Sequence, residues 1–174
     1  MIKLLKFPHK TIRAQVIHEY IGNNRVVCFS CGNASRALKE QGMDVLDISP
    51  SGDLLALRWF TQRDILHNFE NYFDATSGHL NNELMGLIGK AFKDYLGDIK
   101  DNETIYVPTG SGETLVCLKM AYPKVNFIAV YNINKATEFS EYAPLNMLVK
   151  LLATDIIYNG KEFIDNNTYE YFGS

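Results

Sequence analysis

The feature that most constrains this chain is the stretch "RVVCFSCGNASRALKEQGMDVLDIS", Arg25 to Ser49. A β-branched run stops at a Ser-Cys-Gly-Asn turn, an amphipathic helix follows, and a second apolar run closes the unit. Strand, helix, strand in that order calls for a parallel pair, because parallel strands need a long crossover where antiparallel ones accept a tight turn. The same alternation comes back later: "ETIYVPT" reads as a strand, "GSGETLVCLKMAYP" as a Gly-rich turn plus helix, and "KVNFIAVYNI" as another strand. The expected class is α/β, a mostly parallel twisted sheet with helices on both faces.

The other segments fit around those units. "HKTIRAQVIHEYIG" carries Ile12, Val16, Ile17 and Tyr20 at helical spacing, with Gly22 as the stop, and Gly42 stops the helix "ASRALKEQG" in the same way. From Asp53 to Phe73 no Pro or Gly interrupts, and the reading is helical. "SGHLNNELMGLIGKAFKDYLG" is a helix with Leu80, Leu84, Leu87, Ile88 and Phe92 on one face, and a last helix runs from about Pro144 to Leu152 before a polar, aromatic end. Nothing repeats and no Pro/Gly/Ser linker interrupts, so 1–174 reads as a single compact domain, long enough for a real core.

Charge and composition then remove several function classes. A net charge of −3 with no Lys/Arg run gives no electrostatic footprint for nucleic acid. No stretch approaches the roughly 20 apolar residues that span a bilayer, and "MIKLLKFPHK" lacks the length and cleavage site of a signal peptide, so no membrane partner is expected. Three cysteines make an odd number without framework spacing, which favours a reducing cytoplasm. Cys28 and Cys31 form C-x-x-C, but no second Cys or His pair completes a metal site, and strand packing plus turn geometry account for them.

Two turns carry chemistry. Right-handed crossovers place strand-to-helix turns on one edge of a parallel sheet, where such sheets bind ligands. One turn is Ser30-Cys31-Gly32-Asn33; the other runs Thr109-Gly110-Ser111-Gly112-Glu113-Thr114. Gly110 and Gly112 let backbone N–H groups approach a ligand, Thr109, Ser111 and Thr114 add hydroxyls, and a helix N-terminus follows, which suits a phosphate. The loop is neither a Walker A sequence nor G-x-G-x-x-G, and Glu113 sets a carboxylate beside the expected anion. Lys10 follows Pro8 and His9 at a helix start, where the dipole disfavours a cation by a few tenths of a kcal/mol and so favours the neutral, nucleophilic amine.

Lys10-Thr11-Ile12-Arg13, then a helix, a strand and Ser30-Cys31-Gly32-Asn33-Ala34, resembles the opening of the fold-type II pyridoxal-phosphate enzymes. That family includes the tryptophan synthase β-subunit, cysteine synthase, threonine deaminase, aminocyclopropane-carboxylate deaminase and D-cysteine desulfhydrase. "HKTIRAQVIHEY" is similar to the lysine segment of the deaminase and desulfhydrase, and "YVPTGSGETLVCL" to their phosphate loop, with Glu113 where a Gly is usual. "NYFDATSGHLNNELMGLI" and "YPKVNFIAVYN" resemble the segments on either side of that loop. Between Pro50 and Asn71 the family normally carries a second lobe, for which this chain has few residues.

The resemblance implies a reduced fold-type II enzyme with pyridoxal 5'-phosphate (PLP) as cofactor. Lys10 would hold it as a Schiff base and shuttle the substrate α-proton, and Asn33 would bond the ring. Thr109, Gly110, Ser111, Gly112 and Thr114 would hold the phosphate. Ser30, Cys31 and Gly32 would form the turn that receives the substrate carboxylate. The implied activity is that of a lyase, deaminase or β-replacement enzyme on an amino acid or an amino-acid-like group, free or attached to a larger molecule. So compact a version suggests a mobile or viral genome, and a homodimer whose second subunit closes the site.

Two other readings use the same residues. One is a non-catalytic pseudoenzyme or binding module of this fold. The other is a methyltransferase-like nucleotide turn, F-x-x-G-x-x-S before a helix with Asp47 at a ribose, which leaves "PTGSGET" unexplained. His9 and His79 stand near the candidate segments without a metal-ligand pattern, and Trp59, Phe60, Phe69, Tyr72 and Phe73 read as core or dimer face.

Overall fold

The first helix, α1 (His9–Ile21), follows Pro8 and ends at Gly22. Gly22 takes φ +67, a left-handed conformation that costs glycine little, and its N–H donates to the His18 carbonyl at 2.9 Å, closing the last turn. These coordinates come from a computed structural model, which describes residues 5, 7–22, 25–28, 33–47, 72–74, 82–109, 112–131 and 144–157. The chain divides into two units, Pro8–Leu84 and Met1–Phe7 with Met85–Gly173.

In the first unit α1 buries Ile12, Ala14 and Ile17, and with them Arg13. Val16 is half-buried, and Tyr20, expected on the apolar face, is exposed with its hydroxyl 3.4 Å from the Glu83 carboxylate. Strand β1 (Arg25–Cys28) leads to α2 (Asn33–Glu40) and then to β2 (Val45–Asp47). β1 and β2 pair in parallel with Val26 opposite Val45, so the strand–helix–strand unit forms as its sequence requires. Helix α2 packs on α1, and its Ala37 and Leu38 are buried.

A third strand, β3 (Tyr72–Asp74), adds in parallel to the other side of β1, giving the order β2-β1-β3. This corrects the helical reading at Tyr72 and Phe73. The open edge of β1 offers unpaired backbone groups, and a short aromatic segment meets that demand better as strand than as helix. The remainder of that reading, 53–71, lies outside the described residues.

Helix α3 (Asn82–Leu96) has its first three residues in the first unit and the rest in the second, where β4 (Thr104–Pro108), α4 (Glu113–Ala121), β5 (Asn126–Val130), α5 (Pro144–Leu152) and β6 (Asp155–Ile157) follow. The order β4-β5-β6 is parallel throughout, with Thr104 opposite Asn126 and Ile128 opposite Asp155. Two strand–helix–strand units therefore share β5. Leu5 donates its N–H to the Tyr106 carbonyl at 2.8 Å, and Phe7 meets Phe92 edge-on with ring centroids 5.0 Å apart. Ile88, Phe92, Val107, Leu115, Leu118, Phe127 and Val149 form the core, and α4 packs on α5. β6 lies in what the sequence presented as a polar end.

Helix α3 also departs from its expected face. Leu84, Ile88 and Phe92 are buried, but Leu87 is 41% exposed and Met85 is buried instead. At 100° per residue, Met85, Gly89 and Phe92 fall within about 60° of one another. The apolar arc is centred there, beside Ile88, and Leu87 lies beyond its edge. Leu80 lies outside the described residues. The parallel α/β character expected from the sequence is present, its strands shared between two three-stranded sheets.

Candidate functional site

Lys10 occupies the second position of α1 and is half-buried. The first turn of that helix holds no acidic residue, and no side chain caps its N-terminus. His9, Lys10 and the buried Arg13 thus gather at the positive end of the helix dipole. The His9 imidazole reflects that setting. Burial first, then the charges of Lys10 and Arg13, lower its pKa from 6.5 to about 4, so it is uncharged at neutral pH.

The amide turn joins β1 to α2. Asn33 is the first residue of α2, on the carboxyl side of a strand paired on both edges. Ser30, Cys31 and Gly32 lie outside the described residues, as does the side chain of Asn33. The helices that begin with His9-Lys10 and with Asn33 pack against each other.

One further residue of this segment entered the sequence reading only as the last position of F-x-x-G-x-x-S. Ser35 is 1% exposed, and its hydroxyl is, among the described residues, the one buried side-chain polar atom without a hydrogen-bond partner. The signal was present as a hydroxyl two residues beyond the amide in "SCGNAS". What no sequence shows is that neither the helix nor its neighbours satisfy it. The first turn of α2 also lacks an acidic residue, so no resident carboxylate meets its positive end.

The glycine turn lies in the second unit, between β4 and α4. Thr109 is 3% exposed; its N–H donates to the Val130 carbonyl and its hydroxyl to the Val107 carbonyl, each at 2.8 Å. Both donors serve the end of the sheet, which makes Thr109 an anchor of the turn. Gly110 and Ser111 lie outside the described residues. Gly112 caps α4 at φ +96, ψ −4 with no side-chain cap, a backbone state strained for any residue carrying a Cβ. Its carbonyl accepts the Val116 N–H at 3.0 Å. Thr114 is half-buried in the first turn.

Glu113, at the head of α4, is 5% exposed. A carboxylate there is stabilised by the helix dipole, the same feature a phosphate would use. The donor chemistry of the turn therefore fits a phosphate, with one resident acid competing for the same positive end. The donor chemistry of the α2 turn fits a small anion without such competition.

Of the other candidates, His79, Trp59, Phe60 and Phe69 lie outside the described residues, while the backbones of Cys28 and Asp47 are partners in the β1–β2 register. No helix among the described residues is long and apolar enough to cross a membrane. No family model matches the chain, and no curated protein matches it.

Proposed function

We propose that this chain is a PLP-dependent lyase, deaminase or β-replacement enzyme of reduced fold-type II form, acting on an amino acid or an amino-acid-like group. The observation that carries the reading is the packing of α1, with Lys10 in its first turn, on α2, which opens with Asn33 at the carboxyl end of a parallel strand. The order of lysine, amide turn and glycine turn along the chain supports it.

When bound, PLP supplies an electron sink for negative charge at the substrate Cα. The chain's own residues supply the rest. The Lys10 amine would hold the cofactor covalently and, once the substrate's amine has displaced it, would take and return the Cα proton. The Asn33 amide orients the ring, and Ser30, Cys31 and Gly32 receive the substrate. Backbone N–H groups at Gly110, Ser111 and Gly112, with the hydroxyls of Ser111 and Thr114, hold the phosphate. The uncharged His9 beside Lys10 adds no further positive charge to the amine's surroundings at neutral pH.

A homodimer belongs to the same proposal, and light scattering on the purified protein tests it. The enzyme reading is tested by an absorption spectrum with and without added PLP, followed by a screen of amino acids for spectral change. A new band near the visible edge that amino acids perturb supports it; free PLP absorbance alone overturns it. One observation favours a non-catalytic binding module, the buried Glu113 at the head of α4. In that case PLP fails to bind wild-type protein, and Glu113→Gly does not restore binding.

A further inference from the structure

We propose that Arg13 is a positioning residue for Lys10: its buried guanidinium raises the share of the Lys10 amine that is uncharged and nucleophilic at neutral pH. The proposal rests on the reading of Lys10 as the cofactor's tether and supplies the group that readies it.

Lys10 and Arg13 stand three residues apart in α1, on one side of the helix, a spacing that sets Cβ atoms about 6 Å apart. Helical side chains lean toward the N-terminus, so the Arg13 guanidinium leans back over the turn that holds His9 and Lys10. Arg13 is 6% exposed, and a guanidinium keeps its charge whatever it bonds. A fixed cation so little exposed to water is weakly screened and disfavours a second positive charge beside it. The half-buried Lys10 amine relieves that repulsion by losing its proton, and the positive end of the helix dipole acts in the same direction.

His9 shows that the Arg13 charge reaches this turn. Its pKa is lowered to about 4 by burial, then by Lys10, which is itself charged at the pH where His9 titrates, and then by Arg13. The other charged groups of α1, His18 and Glu19, lie more than two turns beyond Lys10. On α2, which packs against α1, Arg36, Lys39 and Glu40 are exposed, and the buried side carries Ser35, Ala37 and Leu38. Glu83 of α3 meets Tyr20, near the opposite end of α1.

The test uses the full-length protein without PLP. Trace acetic anhydride labels it across about pH 6 to 11, the range around the ordinary lysine pKa. Mass spectrometry follows acetylation of Lys10 and, as the internal reference, of the exposed Lys90. Wild type is compared with Arg13→Met, which keeps the bulk of the side chain without its charge, and with Arg13→Lys, which keeps the charge. Melting temperatures establish that each variant is folded, and Arg13→Gln replaces Arg13→Met if that variant is not. A second aliquot of each is mixed with PLP and reduced with borohydride.

In wild type the Lys10 midpoint is expected about one pH unit or more below that of Lys90, which is about tenfold more uncharged amine at neutral pH. Arg13→Met is expected to raise the Lys10 midpoint by about one unit, a tenfold loss, and to leave that of Lys90 in place. Arg13→Lys keeps the wild-type midpoint.

A wild-type Lys10 midpoint equal to that of Lys90 overturns the proposal whether or not any variant folds. So does a midpoint that loss of the Arg13 charge leaves in place. If that variant also loses the PLP adduct, the guanidinium serves the cofactor and not the amine. A midpoint in Arg13→Lys as high as in Arg13→Met overturns it as well, since charge is then not what acts. A lowered wild-type midpoint that Arg13→Met raises, with no borohydride-fixed adduct at Lys10, upholds the action of Arg13 on the amine and is the separate failure of the enzyme reading.

Discussion

The carbonyl oxygen of Cys117 in α4 lies too near the place that a Cβ on Gly89 of α3 would take for a Cβ to fit without a shift of backbone. The neighbour is backbone, so it cannot swing aside as a flexible side chain would. Gly89→Ala is therefore expected to push α4 away from α3. Overpacking costs about 1–3 kcal/mol, and the gain of about 1 kcal/mol in helix propensity offsets it only in part. Gly86 is the control: a Cβ there meets the Met120 Cε at 3.6 Å, an ordinary contact. Gly86→Ala is expected to be neutral or to stabilise by up to about 1 kcal/mol. Urea midpoints for the two variants, moving in opposite directions or with only Gly89→Ala falling, check the relationship. Because α4 begins at the glycine turn, Gly89→Ala is also expected to weaken PLP binding.

His9 makes stability depend on pH. Its pKa is about 4 in the fold against 6.5 for the ordinary group. Between those values the unfolded chain holds a proton that the folded chain does not, so stability rises with pH across the window and is lost as pH falls through it. The full difference amounts to at most about 3 kcal/mol. His9→Gln is expected to flatten the stability profile between pH 6.5 and 4. An NMR titration is expected to find the His9 pKa rising in Lys10→Met, because the Lys10 charge is the second cause of its depression, while burial keeps it below 6.5.

The glycine turn is anchored at Thr109 and bent at Gly112. Thr109→Val leaves the Val107 carbonyl without its hydroxyl donor and is expected to cost about 1–2 kcal/mol; Thr109→Ser, which keeps the donor, costs less. Gly112→Ala forces a Cβ into φ +96 and is expected to cost about 1–2 kcal/mol. Thermal melts measure both. If the turn holds phosphate, Gly112→Ala also loses PLP affinity beyond what Thr109→Val loses, which a fluorescence titration with PLP resolves.

Elements bounded by local chemistry were legible in the sequence. Pro8 and Gly22 bracket α1, and the run Arg25 to Asp47 became β1, α2 and β2 in order. The three-residue strands β3 and β6 were not legible, because each exists by pairing with a strand far away in sequence, β1 and β5. The exposed side of α3 was misjudged at Leu87 for a related reason: the close approach at Gly89 is a tertiary fact that rotates the buried arc. At the candidate site the residue types in both turns could be read directly. Ser35 was legible only as the last position of F-x-x-G-x-x-S; that its buried hydroxyl makes no hydrogen bond was not.

Whether Lys10 carries the cofactor is decided by where borohydride fixes it. Purified protein is incubated with PLP, reduced with borohydride and digested, and the peptides are examined by mass spectrometry. A phosphopyridoxyl addition is expected on the peptide containing Lys10, saturating at stoichiometric PLP and absent from Lys10→Ala. No addition at Lys10, or labelling spread evenly over the exposed lysines, would contradict it.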